Sequence, residues 1–280
     1  MPAEITKVIT TYELNMPKIK FILLVLCLLL ISTHTEAQNK KYEPVEGKII
    51  GIWPHNNRFT NTAKLAELKN RWGFENLLIA AIYGKKEVEM ANKAGFESAN
   101  ISLQIYLPDL QTNREKTVNN LKECGKIGAY YFDEPISRKQ SLPDFLWLLK
   151  VLSEEGYYPH AQFVMSEINE YRAKQVDFLV DEIMYSGYGS KENLGLDQQK
   201  SWKEWQSLLG SKFSMVWISS LEDADHYRTL FKAAKELCMR GAWFYQLEPL
   251  DADKECDDSN FEKFCEAAVE FGFMKIRPTE

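Results

Sequence analysis

The sequence predicts an α/β fold, a single (β/α)8 barrel of TIM type, and three observations lead there. After Gln38 the chain repeats one pattern: a short run of β-branched or aromatic residues, a polar turn, then a stretch of helical period. Such alternation argues for a parallel sheet with helical crossovers. The pattern recurs eight times and ends on a helix, which suits a closed barrel better than an open doubly wound sheet. The stretch from Gln38 to Glu280 is also close to the length of one such barrel, about 250 residues.

The first unit is a strand over Lys48–Trp53 and a helix over Thr62–Trp72. The turn between them reads Trp53-Pro54-His55-Asn56-Asn57, not a glycine-rich phosphate loop, so no dinucleotide cofactor is expected. Strand Asn76–Ile82 leads to helix Lys85–Ala94, strand Ser98–Tyr106 to helix Asn113–Cys124, and strand Gly128–Phe132 to helix Pro143–Glu155. Pro143 stands in the first helical turn, where a missing N–H costs nothing. Strand Tyr158–Val164 precedes helix Glu167–Lys174, and strand Glu182–Tyr185 precedes helix Gln198–Leu209. Strand Phe213–Ile218 with helix Asp223–Met239, then strand Ala242–Gln246 with helix Phe261–Phe271, complete the eight. Ser259 and Glu262 have the spacing of a capping box for the last helix. The glycine-containing stretch Ser186–Asp197 is either a mobile lid over the active rim or a plain surface loop.

Composition narrows the partners. With 45% hydrophobic residues the 280-residue chain can bury a full core, which excludes a disordered chain or a disulfide scaffold. Lys and Arg number 34 against 40 Asp and Glu, a formal net charge of -6, and no basic run exceeds two residues. Neither nucleic acid nor an anionic membrane would find a footprint there; a neutral or weakly polar partner fits better.

Residues 1–37 read as an upstream extension plus a secretory signal peptide, with Met16 as the start. Lys18 and Lys20 are its basic flank, Phe21–Ile31 its apolar run, and Thr35-Glu36-Ala37 its small-residue cleavage site. The apolar run is about half as long as a bilayer crossing requires. The expectation is cleavage after Ala37, a barrel domain over 38–280, and a secreted or periplasmic location without membrane attachment. A Cys256–Cys265 disulfide is open in an oxidising compartment, although a core of this size does not need one. No cysteine or histidine spacing suggests a metal site, and no cofactor is expected.

Two strand ends echo each other. Cys124 to Pro135 and Cys238 to Pro249 both read Cys, Gly-Ala, three aromatics, then Glu-Pro. Half-barrel duplication and the shared demands of two helix-to-strand turns account for this equally well. In either case Glu134 and Glu248 stand at the carboxyl-end rim, where barrel active sites are built.

The Asp133-Glu134-Pro135 element at the end of an aromatic strand resembles the Asn-Glu-Pro that closes the fourth strand in barrel-fold glycoside hydrolases. That resemblance implies Glu134 as general acid/base, with Asp133 binding a substrate hydroxyl or keeping Glu134 protonated. The family's nucleophile, a Glu ending strand seven, has no counterpart: the strand ends Trp217-Ile218-Ser219. Glu248 can serve as the partner carboxylate, which predicts an inverting reaction with the acids about 6.5 to 9.5 Å apart. Substrate-assisted chemistry is the other route, because Met184 and Tyr185 with Trp243 are similar to chitinase-type strands six and eight.

Trp53, Tyr106, Tyr185, Trp217 and Trp243 stand at or near strand ends and can stack on pyranose faces, beside the hydrogen-bonding His55, Asn56, Gln162 and Gln246. The bland alternative for each ring is ordinary core. The expected function is a secreted glycoside hydrolase-like protein acting on a poly- or oligosaccharide; the alternative is a non-catalytic carbohydrate-binding barrel.

Overall fold

The computed structural model describes residues 41–54, 56–80, 84–105, 113–133, 142–157, 161–165, 181–186, 210–220, 223–246 and 259–278, with 203, 206 and 207 between them. Residues Tyr42–Ile276 form one unit; Met1–Lys41 and Arg277–Glu280 form a second, nearly all of it outside the described residues.

Strand β1 (Lys41–Pro44) precedes the barrel, which is built from β2 (Ile49–Trp53), β3 (Asn76–Ile79), β4 (Ile101–Gln104), β5 (Ala129–Asp133), β6 (Ala161–Met165), β7 (Glu182–Ser186), β8 (Phe213–Ser219) and β9 (Gly241–Tyr245). These eight are parallel neighbours in chain order, and β9 pairs back onto β2, so the sheet closes. Between them run α1 (Thr62–Asn70), α2 (Lys85–Lys93), α3 (Arg114–Glu123), α4 (Leu142–Glu154) and α5 (Ala224–Glu236), with α6 (Ser259–Glu270) after β9. The expected (β/α)8 barrel is therefore the fold. Helix Glu167–Lys174 lies outside the described residues, and of Gln198–Leu209 only residues 203, 206 and 207 are described as helical.

Helix starts follow their capping side chains. Asn61 accepts from the N–H of Ala63, Asn113 from that of Lys116, and Asp223 from that of His226, each satisfying a donor that the first turn leaves open. Glu87 reaches back to the N–H of Gly84 at 2.9 Å. Among the described residues no helix is long and apolar enough to cross a membrane.

A period of two sorts each strand between two cores. Ile50, Ile52, Leu77, Ile79, Tyr130, Phe132, Val216, Ile218, Ala242 and Phe244 face the helices in the outer core. Their neighbours Leu78, Tyr131, Met215, Trp217 and Trp243, with Met184 of β7, make a separate cluster inside the barrel.

The faces also decide the echo between β5 and β9. Aligned on Gly128-Ala129 and Gly241-Ala242, Tyr130 matches Trp243, yet Tyr130 packs outward and Trp243 packs in the lumen. A one-residue slip inverts every side chain, so the two segments are not equivalent halves. What they share is a glycine under a neighbouring backbone. A Cβ at Gly128 would stand 1.9 Å from the carbonyl oxygen of Ala99, and one at Gly241 would stand 2.0 Å from that of Ile49.

The sequence reading missed β1 and its partner β10 (Met274–Arg277), which pair as a two-stranded sheet. Four residues are too few for a period to register, and Pro44 demotes the first of them. Tyr42 anchors the pair: its N–H donates to the carbonyl of Arg71 at 2.8 Å, and its ring stacks on Trp72.

The open disulfide question resolves at one end. Cys265 is a free thiol, wholly buried in α6, with its sulfur 3.6 Å from the carbonyl oxygen of Trp72; Cys256 lies outside the described residues. Burial, with Glu262 and Glu266 nearby, pushes the Cys265 thiol well above its ordinary range, and burial pushes Cys124 up to about 11. Thiolate is the reactive form, so both should resist alkylation at neutral pH in the folded protein while exposed Cys238 reacts. Site-resolved mass spectrometry after a short alkylation pulse checks this; modification of Cys265 at the Cys238 rate would contradict the packing of α6.

Candidate functional site: an aromatic stack at the barrel mouth

Strand register builds the site. Gly51 pairs with Trp243 and Trp53 with Tyr245 across β2 and β9; Trp217 pairs with Trp243 and Ser219 with Tyr245 across β8 and β9. Residues in register share a face, so the lumen-facing rings of three adjacent strands are brought together, and Tyr131 joins them from β5.

The rings make one connected stack. Trp217 is the hub, with centroids 5.6 Å from Tyr131, 5.8 Å from Tyr245, 6.0 Å from Trp53 and 6.3 Å from Trp243. Trp53 and Tyr245 lie closest of all, 4.7 Å apart with planes tilted by 34°. Each such pair adds about 0.5–1.5 kcal/mol beyond the burial of its area. Tyr131, Trp217 and Trp243 are buried, at most 1% exposed, whereas Trp53 and Tyr245 keep part of their surface open.

Gly51 makes room for the stack, since a Cβ there would stand 2.4 Å from Cδ2 of Trp243. At the opposite, amino end of the barrel, Glu182 is 2% exposed and accepts from Ser214 Oγ and Arg240 Nη2, each at 2.5 Å. That pair sits at the foot of the barrel, away from the aromatic mouth.

Trp53 lies at the mouth. Trp217 and Trp243 face the lumen but are its filling rather than its lining, because the rings from neighbouring strands cover them. Gln246 follows β9, is 4% exposed, and donates its N–H to the carbonyl of Trp53 at 2.9 Å. Tyr185 is in register with Val216 across β7 and β8.

Of the acids, Asp133 ends β5, in register with Val164 and two residues beyond Tyr131. Gln162 is in register with Tyr131 and Glu182. Asn56 opens the 3-10 turn Asn56–Thr60 after β2. Glu134, Glu248, His55 and Tyr106 lie outside the described residues, as does 187–197 of the proposed lid.

Tyr131 and Tyr245 are the members that sequence reasoning missed. Their signal was present: Tyr245 stands two residues beyond Trp243, and Tyr131 two before Asp133, so each shares a face with a residue already singled out. Among the described residues no cluster of His, Cys, Asp and Glu could hold a metal ion.

No family model matches the chain, and no curated protein matches it. Solved structures that it resembles include an aldose reductase from Schistosoma japonicum at 13% identity and a TM-score of 0.49, covering 80% of this chain and 87% of that one. A D-psicose 3-epimerase from Clostridium cellulolyticum H10 has 13% identity and a TM-score of 0.44, covering 80% and 97%. An alpha-amylase from Lactobacillus plantarum has 12% identity and a TM-score of 0.46, covering 81% and 80%. The barrel itself is established by this chain's own strand pairing, which closes the sheet.

Proposed function

We propose that the protein is an exported glycoside hydrolase-type barrel that binds a poly- or oligosaccharide over its carboxyl-end mouth and cleaves it with a carboxylate there. The observation that carries this reading is the aromatic stack, whose two open members, Trp53 and Tyr245, stand at the carboxyl ends of adjacent strands. Flat apolar surface beside a few polar groups is what a sugar ring's C–H face requires.

Two acids compete for the proton-transfer role. Glu134 holds it by resemblance. Asp133, the last residue of β5 and the neighbour of Glu134, is the other candidate. Glu248 remains the partner carboxylate in the inverting version.

A non-catalytic carbohydrate-binding barrel is the second reading, and Ser219 favours it. This residue ends β8 on the lumen row of Trp217, where the hydrolase family keeps its nucleophile, and it is 2% exposed. A panel of polysaccharides, scored both for binding and for reducing-end release, separates the two. Hydrolysis that falls about 100-fold or more in Asp133→Asn or Glu134→Gln, with binding retained, supports catalysis and names the acid. Binding without hydrolysis in parent and variants alike supports the second reading, and no binding of any sugar removes both.

A further inference from the structure

We propose that Gln104 is the specificity residue of the aromatic mouth: its side-chain amide reads one hydroxyl of the sugar ring that stacks on Trp53. This assignment rests on the carbohydrate reading above and names the group by which one sugar is told from another.

Its placement follows from β4. Ile101, Leu103 and Ile105 pack in the outer core, so Ser102 and Gln104 between them face the lumen. Gln104 is the last residue of β4 and stays partly exposed. It is in register with lumen-facing Tyr131, and the N–H of Ile105 donates to the carbonyl of Tyr131 at 2.9 Å, which fixes that register to the strand's end. The ring of Tyr131 in turn stands edge-on to Trp53, with centroids 6.1 Å apart. The amide and the open indole are therefore both neighbours of Tyr131. Only β3 separates β2 from β4, so the two strands lie about two strand spacings apart, roughly 10 Å, a span that one sugar ring and its hydroxyls can bridge. Among the described residues β3 puts no ring into that span; it contributes Leu78 and, two residues on, Ala80.

The residue type is informative as well. Where β8 and β9 turn Met215, Trp217 and Trp243 inward, β4 turns Ser102 and Gln104. Polar groups among packed side chains cost stability unless they are bonded, and departures from apolar filling concentrate where a ligand is met. Gln104 already has a partner in the protein. An amide carries two N–H donors and an oxygen with two lone pairs, so one partner holds the group in place and leaves capacity for a ligand. It can donate to and accept from a single hydroxyl, an interaction that an analogue lacking that hydroxyl forfeits.

The test is calorimetric titration of the full chain with the methyl glycosides of glucose, galactose and mannose and with the monodeoxy analogues of each, in the parent, Gln104→Leu and Gln104→Ala. The parent should bind one of the three sugars about tenfold or more tightly than one of its monodeoxy analogues, and in both variants that ratio should fall to within about twofold. Binding of the deoxy analogue itself, which depends on stacking, should change by less than about twofold. A merely structural role for Gln104 would weaken every sugar alike and leave the ratio as it was, and that result would overturn the assignment. The two variants leave voids of different size, so a ratio lost in one and kept in the other would also overturn it. If the parent binds polysaccharides but none of these glycosides, the Gln104 assignment falls while the carbohydrate reading stands; if it binds neither, both fall.

Discussion

Gly241→Ala and Gly128→Ala should be among the most damaging single-methyl additions in this chain, each costing roughly 3 kcal/mol or more. The added carbon would stand 2.0 Å from the carbonyl oxygen of Ile49 in the first case and 1.9 Å from that of Ala99 in the second. Neither oxygen can rotate away. Ile49 is in register with Gly241 in the β2–β9 pairing that closes the barrel, so relief requires the closing strands to separate. Gly128 donates its N–H to the carbonyl of Ile101 at 2.9 Å and leads into β5, so relief there disturbs the β4–β5 pairing that begins at Ser102 and Ala129. Gly51→Ala provides the graded comparison. The three atoms nearest its Cβ all belong to the ring of Trp243, a side chain, and overpacking of that kind costs about 1–3 kcal/mol. In a barrel of this size 3 kcal/mol corresponds to a Tm lower by about 6–12 °C. Thermal unfolding followed by circular dichroism reads the ranking, and a Gly241→Ala protein as stable as the parent would mean that the barrel does not close through this contact.

The fold was legible because its information is repetitive. Eight runs such as Lys48–Trp53 and Phe213–Ile218 each announce a buried parallel strand, and the observed β2 and β8 fall within one residue or so of those limits. Faces were harder to read, because a strand buried on both sides lacks the polar alternation that would reveal them. Tyr130-Tyr131-Phe132 gives no hint in composition that only its middle ring enters the lumen; that follows from register, which depends on the neighbours of β5. The same ambiguity counted Trp217 as cleft lining, although a ring at a strand end is lining only if no other ring stands in front of it, and here Trp53 and Tyr245 do. The foot of the barrel was not legible: nothing in the sequence joins Glu182 to Arg240, fifty-eight residues later.

That division between filling and lining sets the second large effect. Trp217→Ala should cost about 3–5 kcal/mol, because the indole is 1% exposed and touches four other rings, and a void of that size inside a closed barrel cannot collapse. Trp53→Ala removes a ring of equal size, yet one partly open to solvent at the mouth, so its cost should be smaller, about 1–2 kcal/mol. For sugar binding the contrast runs the other way when each variant is measured below its own unfolding temperature. Losing Trp53 takes away the exposed face and should weaken binding about tenfold or more; Tyr245, 4.7 Å from it, then stands alone. Losing Trp217 leaves both open rings in place with a softer support, and should weaken binding less than losing Trp53 does. Calorimetric titration with whichever oligosaccharide the panel identifies, paired with thermal unfolding of the same samples, gives both readings. If Trp53→Ala binds as the parent does while Trp217→Ala unfolds as expected, the stack is a core alone, and the ligand of this mouth is not held by aromatic stacking.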